Sequence, residues 1–349
     1  MQTVYFAEES NTDGRRKMAS IQVIKDISPI DGADRIEVAK ILGWNVVVRK
    51  GEFCVGQPIV FFEIDSIIPK AEWSEFLKPP HRLRTVKLRG VISQGLVMPV
   101  TILPEGLSSR LLEIPEFLEA KMGLDVSKIL KVTKYEIPQA KQAYALGAFP
   151  YFIPKTDELR VQSYPQVLDE MRGKPYLITQ KLDGSSGTFW MRNGEFGLAS
   201  RNLTLEFGPD HDSVWHFVAR KYNLPAVLPD GFAVQGEVVG PSVQRNPMGL
   251  TELDLQIFNV WDINKQEYLR PADALTFCDK HGLTHVPVLE FGSFDYTEEG
   301  LLERAKGEYP NGSPQEGIVV RPLENMVSAV LKGRMSFKAI NNDFLLSEK

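Results

Sequence analysis

The stretch LITQKLDGSSGTFW, residues 177–190, decides how the rest of the chain is read. It sets Lys181 inside an apolar, strand-like run and follows it at once with Asp183 and Gly184. Burial disfavours the charged form of a lysine unless something compensates, so a nucleophilic role explains this residue better than a structural one. Side chains alternate between the two faces of a strand. On that period Leu177, Thr179, Lys181 and Asp183 share one face, while Ile178, Gln180 and Leu182 share the other. Lys181 and Asp183 would then point into one space, with Gly184 letting the backbone turn or a ligand come close.

Four further strand-like runs carry polar residues where core is expected. In TELDLQIFNVWDI (251–263) strict alternation puts Leu253, Leu255, Ile257, Asn259 and Trp261 on one face. Phe258 falls on the other, with Asp254, Gln256, Val260 and Asp262, either as core under a second layer or as a platform for a flat ring. FAVQGEVVG (232–240) places Glu237 after a glycine in an apolar strand, and PQEGIVVRP (314–322) places Glu316 at the start of another. Buried carboxylates need a cation, a metal or hydrogen-bond donors. RMSFKAINNDF (334–344) interrupts a last apolar run with Lys338.

The remaining composition is that of an ordinary globular protein. A length of 349 residues suggests two domains, and 43% hydrophobic and 24% charged residues allow a sizeable core. A net charge of −5 argues against a general polyanion binder without excluding a local basic groove. Cys54 and Cys278 lack any CxxC or Cys/His ligand spacing, so a reduced intracellular protein, cytoplasmic or nuclear and without structural zinc, is expected. No apolar run has the length of a membrane span, so no membrane partner is expected. Neither GxxxxGK[ST] nor GxGxxG occurs.

The two halves differ in pattern. Residues 1–19 are polar and read as a tail or an appended extension. Residues 20–145 read as mostly β, with runs at WNVVVRKGEF, QPIVFFEIDSII and GLVMPV that suit a small barrel. KPPHRLRTVKLR (78–89) carries Lys78, Arg82, Arg84, Lys87 and Arg89 with no acidic residue, which suits either a solvated loop or a phosphate-facing surface. Residues 146–349 alternate strands and helices as an α+β domain does, with a hairpin at Asn193-Gly194. In GPDHDS, Asp210, His211 and Asp212 suggest a metal site, but a cap for the following helix is the preferred reading.

The order of these motifs is more specific than any one of them. KLDG, then SRN (200–202), QGEVVG (235–240), IFNVWDI (257–263), EGIVV (316–320) and SFKAI (336–340) resemble the six motifs of the covalent nucleotidyltransferase superfamily of polynucleotide ligases and mRNA capping enzymes. The opening ISPIDGADRIEVAKILGW is similar to OB-type tRNA-binding modules. The sequence ends eleven residues after Lys338, leaving no room for the C-terminal OB domain of DNA ligases and capping enzymes. An OB-like module ahead of a bare catalytic domain resembles the ATP-dependent RNA ligases of the Naegleria and Deinococcus type. Alternatives are a DNA nick ligase, a capping-type guanylyltransferase, or a non-catalytic protein that binds nucleic-acid ends.

The resemblance implies an OB-like β-barrel module joined to an adenylyltransferase domain of antiparallel sheets flanked by helices. It implies ATP, with AMP bound covalently to Lys181, Mg²⁺ or Mn²⁺, and monomeric action on RNA with 3′-OH and 5′-phosphate ends. Expected junctions are nicks in duplexes or RNA–DNA hybrids. Lys181, Asp183 and Lys338 are the implied catalytic residues. Thr179, Gln180, Lys181, Gly184, Arg201, Glu237, Phe258 and Lys338 are implied at the nucleotide, and Glu316, Asp183 and Glu237 at the metal. Two departures stand out: Ile340 replaces a second motif lysine of the phage-type enzymes, and Ser186 replaces an asparagine. Lys332 or a residue of the first module would supply the missing charge. Arg82, Arg84, Lys87, Arg89 and Lys332 are expected at the RNA backbone or the ATP phosphates.

Overall fold

The apolar runs of the first half form short antiparallel strands. Ala19–Val23, Pro58–Phe62 and Leu96–Pro99 build one sheet; Asp26–Pro29, Ile36–Ile41 and Trp44–Arg49 build a meander. Along Trp44–Arg49 buried and less buried residues alternate, as expected of a strand with one face on a core. That core gathers Ile21, Val60, Phe62, Leu103, Leu107 and Val126. Two short helices, Glu105–Glu113 and Pro115–Lys121, follow the strands.

The computed structural model describes residues 16–79, 81–135 and 144–347. Two units emerge: residues 1–137 with 162–165 and 329–333, and residues 138–161, 166–328 and 334–349. The first module is expected from residue 20 to residue 145. Met18 is buried and Arg16 bonds to Glu63 and Asp65, so ordered packing begins before residue 20. At the other end, Ala145–Ala148 pairs with Leu203–Leu205 and so belongs to the second unit, ahead of a boundary at 146. Residues 136–143, ahead of that strand, fall outside the described residues.

The second unit is built on two sheets. Eight strands form the larger, in which Ser185–Arg192, Phe232–Val239 and Asp254–Asp262 lie side by side. One face packs on the helices Val214–Lys221 and Pro271–His281 through Phe189, Val218, Val234, Val238, Leu255, Ile257 and Phe277. Five strands form the smaller, in the order Leu159–Arg160, Phe337–Ile340, Gly317–Pro322, Pro175–Lys181, Val288–Ser293. The expected hairpin is present: Asn193 and Gly194 both have positive φ, at 55° and 75°, as a two-residue type I′ turn requires. Among the described residues no helix is long and apolar enough to cross a membrane. Both cysteines are free, Cys54 exposed and Cys278 buried.

Candidate active site

Antiparallel register fixes which side chains share a face, because directly opposed residues point the same way. In the smaller sheet Lys181 opposes Gly317, Thr179 opposes Val319, and Val319 opposes Lys338. Arg160, in parallel register with Lys338, joins them. Thr179, Lys181, Lys338 and Arg160 therefore line one face. In the larger sheet Ser186 opposes Glu237 and Thr188 opposes Gln235, on the face away from the helices. These two faces meet: Arg321 Nη1 donates to the Phe258 carbonyl at 3.3 Å, and Arg334 Nη1 donates to Asn259 Oδ1 at 2.8 Å.

Lys181 Nζ donates to Glu316 Oε2 at 2.6 Å, with the two side chains only 23% and 16% exposed. Burial alone would lower the lysine pKa, but the carboxylates of Glu316, Glu237 and Asp183 outweigh it and raise it. Glu237 moves oppositely to an ordinary surface acid. Burial, with Glu316 and Asp183 adding to it, raises its pKa to about 8 against the downward pull of Lys181 and Arg201. On Lys338 burial prevails and lowers the pKa, reinforced by Lys181 and Arg160 against the pull of Asp157.

The turn after Lys181 is set by close packing. A Cβ on Gly184 would stand 2.4 Å from the Val238 carbonyl oxygen and 2.8 Å from Glu237 Cγ. Glycine is needed there because the neighbouring strand, rather than a ligand, approaches. The Tyr309 hydroxyl, in a buried residue, organises the same turn. It donates to the Lys181 carbonyl at 3.5 Å and accepts from the backbone N–H of Asp183 and of Glu316, each at 3.3 Å. Gln244 Nε2 also donates to the Gly184 carbonyl, at 3.0 Å.

Several expectations need correction. The strand ends at Lys181, so Asp183 lies in the turn and not on a strand face with it; its charge still acts on Lys181. Gln180 faces away from Lys181 and donates to Gln315 Oε1 at 2.7 Å, which gives its side chain a packing role. Phe258 is a β-bulge residue: Gln235 pairs with Asn259 and Gly236 with Ile257, leaving Phe258 unopposed. The extra residue reverses the alternation, so Val260 joins Leu255 and Ile257 in the helix-side core. Phe258 is half-buried and packs on the cluster of Leu182, Val239, Val286 and Tyr309. Among the described residues no three His, Cys, Asp or Glu side chains are gathered as a metal cage. Ser213 precedes its helix as expected but makes no side-chain cap; its hydroxyl meets His216 Nδ1 at 2.6 Å.

Outside the cleft, Arg82 is tied to Asp65 at 2.7 Å and its guanidinium lies 3.8 Å from the Tyr135 ring centroid. That contact gives it a structural role, against a phosphate-facing one. Arg84, Lys87 and Arg89 are exposed on or beside the Thr85–Leu88/Val91–Gln94 hairpin. Lys332 is exposed and groups with the first unit. Arg201 Nη2 donates to Asp157 Oδ2 at 3.1 Å, and its charge acts on Glu237. Arg160, Tyr309 and Asp157 were not singled out from sequence. Arg160 carries the same signal as Lys338, a cation beside apolar residues in a short strand.

An RNA ligase family model matches residues 174–340, and an OB-fold domain model matches residues 18–100. Against curated proteins the chain finds no match. Solved structures of the RNA ligase of Naegleria gruberi are similar over nearly the whole chain. A glutamate-to-alanine mutant with AMP and Mn is 33% identical, with a TM-score of 0.82 over 95% of this chain and 99% of that one. The structure with PPi is 33% identical, with a TM-score of 0.81 over 96% and 99%. A lysine-to-alanine mutant with ATP and Mn is 32% identical, with a TM-score of 0.82 over 95% and 99%. In sequence and in fold, an OB-fold module followed by a ligase domain, the chain belongs to the RNA ligase family.

Proposed function

We propose that this enzyme uses ATP to join 3′-OH and 5′-phosphate RNA ends, sealing nicks in duplexes or RNA–DNA hybrids. The observation that carries the reading is Lys181, a half-buried lysine held 2.6 Å from Glu316 on a face it shares with Lys338 and Arg160. In the first step Lys181 Nζ attacks the α-phosphorus of ATP. An N–P bond forms, the bond to the β-phosphate bridge breaks, and pyrophosphate leaves. An RNA 5′-phosphate oxygen then attacks that phosphorus and releases the lysine, leaving a 5′-5′ pyrophosphate end. Finally the 3′-hydroxyl oxygen attacks the RNA 5′-phosphorus, loses its proton to solvent, and expels AMP.

Lys181 must lose a proton before it attacks, because an ammonium has no lone pair. Its hydrogen bond to Glu316 offers the shortest path, and any positive charge arriving near the carboxylates lowers the lysine pKa. Lys338 and Arg160 supply fixed positive charge where the α-phosphate gains negative charge. Phe258, raised on its bulge, offers a ring face to adenine, and Glu237 is a ribose-hydroxyl acceptor. The carboxylates of Glu316, Glu237 and Asp183 suit Mg²⁺ or Mn²⁺, which one or two of them hold with water and phosphate completing the shell. Bound there, the ion supplies neutralisation of phosphate charge. Arg84, Lys87 and Arg89 are assigned to the RNA backbone.

The test is incubation with α-³²P-ATP and Mg²⁺ or Mn²⁺, beside Lys181→Met, on a denaturing gel. An acid-labile protein band in the wild type and none in the variant is expected. If protein freed of bound AMP takes no label, the ligase reading fails.

A further inference from the structure

We propose that Tyr151 is a base-stacking subsite for the RNA strand, presented beside the catalytic face by the segment from Phe149 to Arg160. The inference rests on the RNA ligase reading and adds a contact to it. Tyr151 is 91% exposed. A lone exposed aromatic is unremarkable by itself; its setting is what gives it a partner. The backbone beneath it is pinned at several points. Phe149 N–H donates to the Asn202 carbonyl at 3.0 Å, Trp261 Nε1 donates to the Phe152 carbonyl at 3.1 Å, and Gln235 Nε2 donates to the Pro154 carbonyl at 2.8 Å. Phe152 and Ile153 sink into the cluster of Trp190, Ala199, Ala233 and Trp261. The chain is thus held down on both sides of Tyr151 while its ring is offered to solvent, edge to face with Phe152 at 5.5 Å.

Cations lie over the aromatic rings on either side of Tyr151 in the chain. The Arg192 guanidinium sits 4.3 Å from the Phe152 ring centroid, and Lys155 Nζ sits 5.6 Å from that of Phe149. Lys155 also donates to Asn202 Oδ1 at 3.3 Å. An exposed aromatic ring whose flanking rings carry basic side chains is a surface on which single-stranded nucleic acid can stack a base while its phosphates are neutralised. Glu195 opposes Arg192 in the hairpin, and the oxygens of Asp157 are engaged by Arg201 and Lys338.

The patch is continuous with the catalytic face. Asn202, which anchors Phe149 and Lys155, follows Arg201, and Arg201 holds Asp157 together with Lys338. Tyr151 precedes Asp157 by six residues, a reach of at most about 20 Å. That corresponds to about six base steps at roughly 3.4 Å each. The stacked base therefore belongs to the strand at the junction, within about six nucleotides of it, and is unpaired or opened there.

The test compares wild type, Tyr151→Ala, Tyr151→Phe and Lys155→Ala. Pre-adenylylated nicked RNA duplexes carry 2-aminopurine at successive positions up to six from the nick. Tyr151→Ala is expected to raise the KM for sealing roughly tenfold and to abolish fluorescence quenching at one position. Labelling by α-³²P-ATP stays at the wild-type level, and Tyr151→Phe keeps both KM and quenching. Lys155→Ala raises KM and steepens no base preference. An unchanged KM in Tyr151→Ala overturns the subsite and leaves a protein-docking patch in its place. Equal losses in Tyr151→Phe overturn it too, since a stacking role does not need the hydroxyl. Failure of ATP labelling in the wild type would reject the ligase reading, whereas quenching of bound RNA judges the subsite by itself.

Discussion

One carboxylate oxygen of Asp157 holds Lys338 at 3.3 Å, while the other holds Arg201 at 3.1 Å. Lys338 is proposed to meet the α-phosphate and Arg201 is expected at the nucleotide, so on that reading an arriving nucleotide competes with this acid for both cations. Asp157 is about half exposed, and each such pair contributes only about 0.2–1 kcal/mol. Asp157→Asn is therefore expected to lower the KM for ATP in lysine labelling by up to about fivefold. A KM that rises instead would mean that the acid orders the two cations for ATP.

Tyr309 commits its hydroxyl to three backbone groups around Lys181. In Tyr309→Phe two N–H donors lose their acceptor, at a cost of about 1–3 kcal/mol. Chemical denaturation checks the stability. Single-turnover labelling is expected to slow while the KM for ATP changes little, because what is disturbed is the placement of Lys181 and Glu316. Equal changes in rate and KM would argue against that placement role.

At Gly184 the expected effect is steric. Alanine puts a Cβ 2.4 Å from the Val238 oxygen, and forcing that separation apart costs about 1–3 kcal/mol or more. Gly184→Ala should lose labelling with far less loss of cooperative unfolding. Full activity would show that the turn relaxes freely.

The pH dependence of stability follows from Glu237. Its pKa in the folded protein is about 8, against 4.5 for the free group. Between those values the folded state keeps a proton that the unfolded state has released, so stability falls as pH rises. Glu237→Gln removes the ionisable group, and the melting temperature of the variant should flatten across that window while labelling is lost. His216 acts at the acid side. Burial lowers its pKa below 6.5, so protonation opposes folding and stability falls as pH drops under that value. His216→Gln should shrink this acid-side loss; parallel melting curves would exclude His216 as its source.

Much of the fold and part of the site could be read from residue order. Lys181, Glu237 and Lys338 interrupt apolar strand patterns, and such interruptions are visible without coordinates. Asn193-Gly194 declared its turn through the conformation those residues favour. Phe258 shows the limit. A bulge adds one residue without changing composition, so strict alternation assigned Val260 to the wrong face. Tyr309 and Asp157 come from irregular segments with no period to mark them. Arg82 looked like its basic neighbours, and only Asp65 and Tyr135, distant in sequence, separate it from them.

The segment from Phe149 to Arg160 has a mechanical meaning as well. At one end it is stitched to the larger sheet through Asn202, Trp261 and Gln235; at the other it becomes a strand of the smaller. The Lys181–Ser185 turn joins the same two sheets elsewhere. A third link runs from Thr284–His285 of the larger sheet straight into Val288–Ser293 of the smaller. With three short covalent tethers, a change in the spacing of the two polar faces means bending or unstitching at least one of them, so the anchoring of this segment and the width of the gap are coupled.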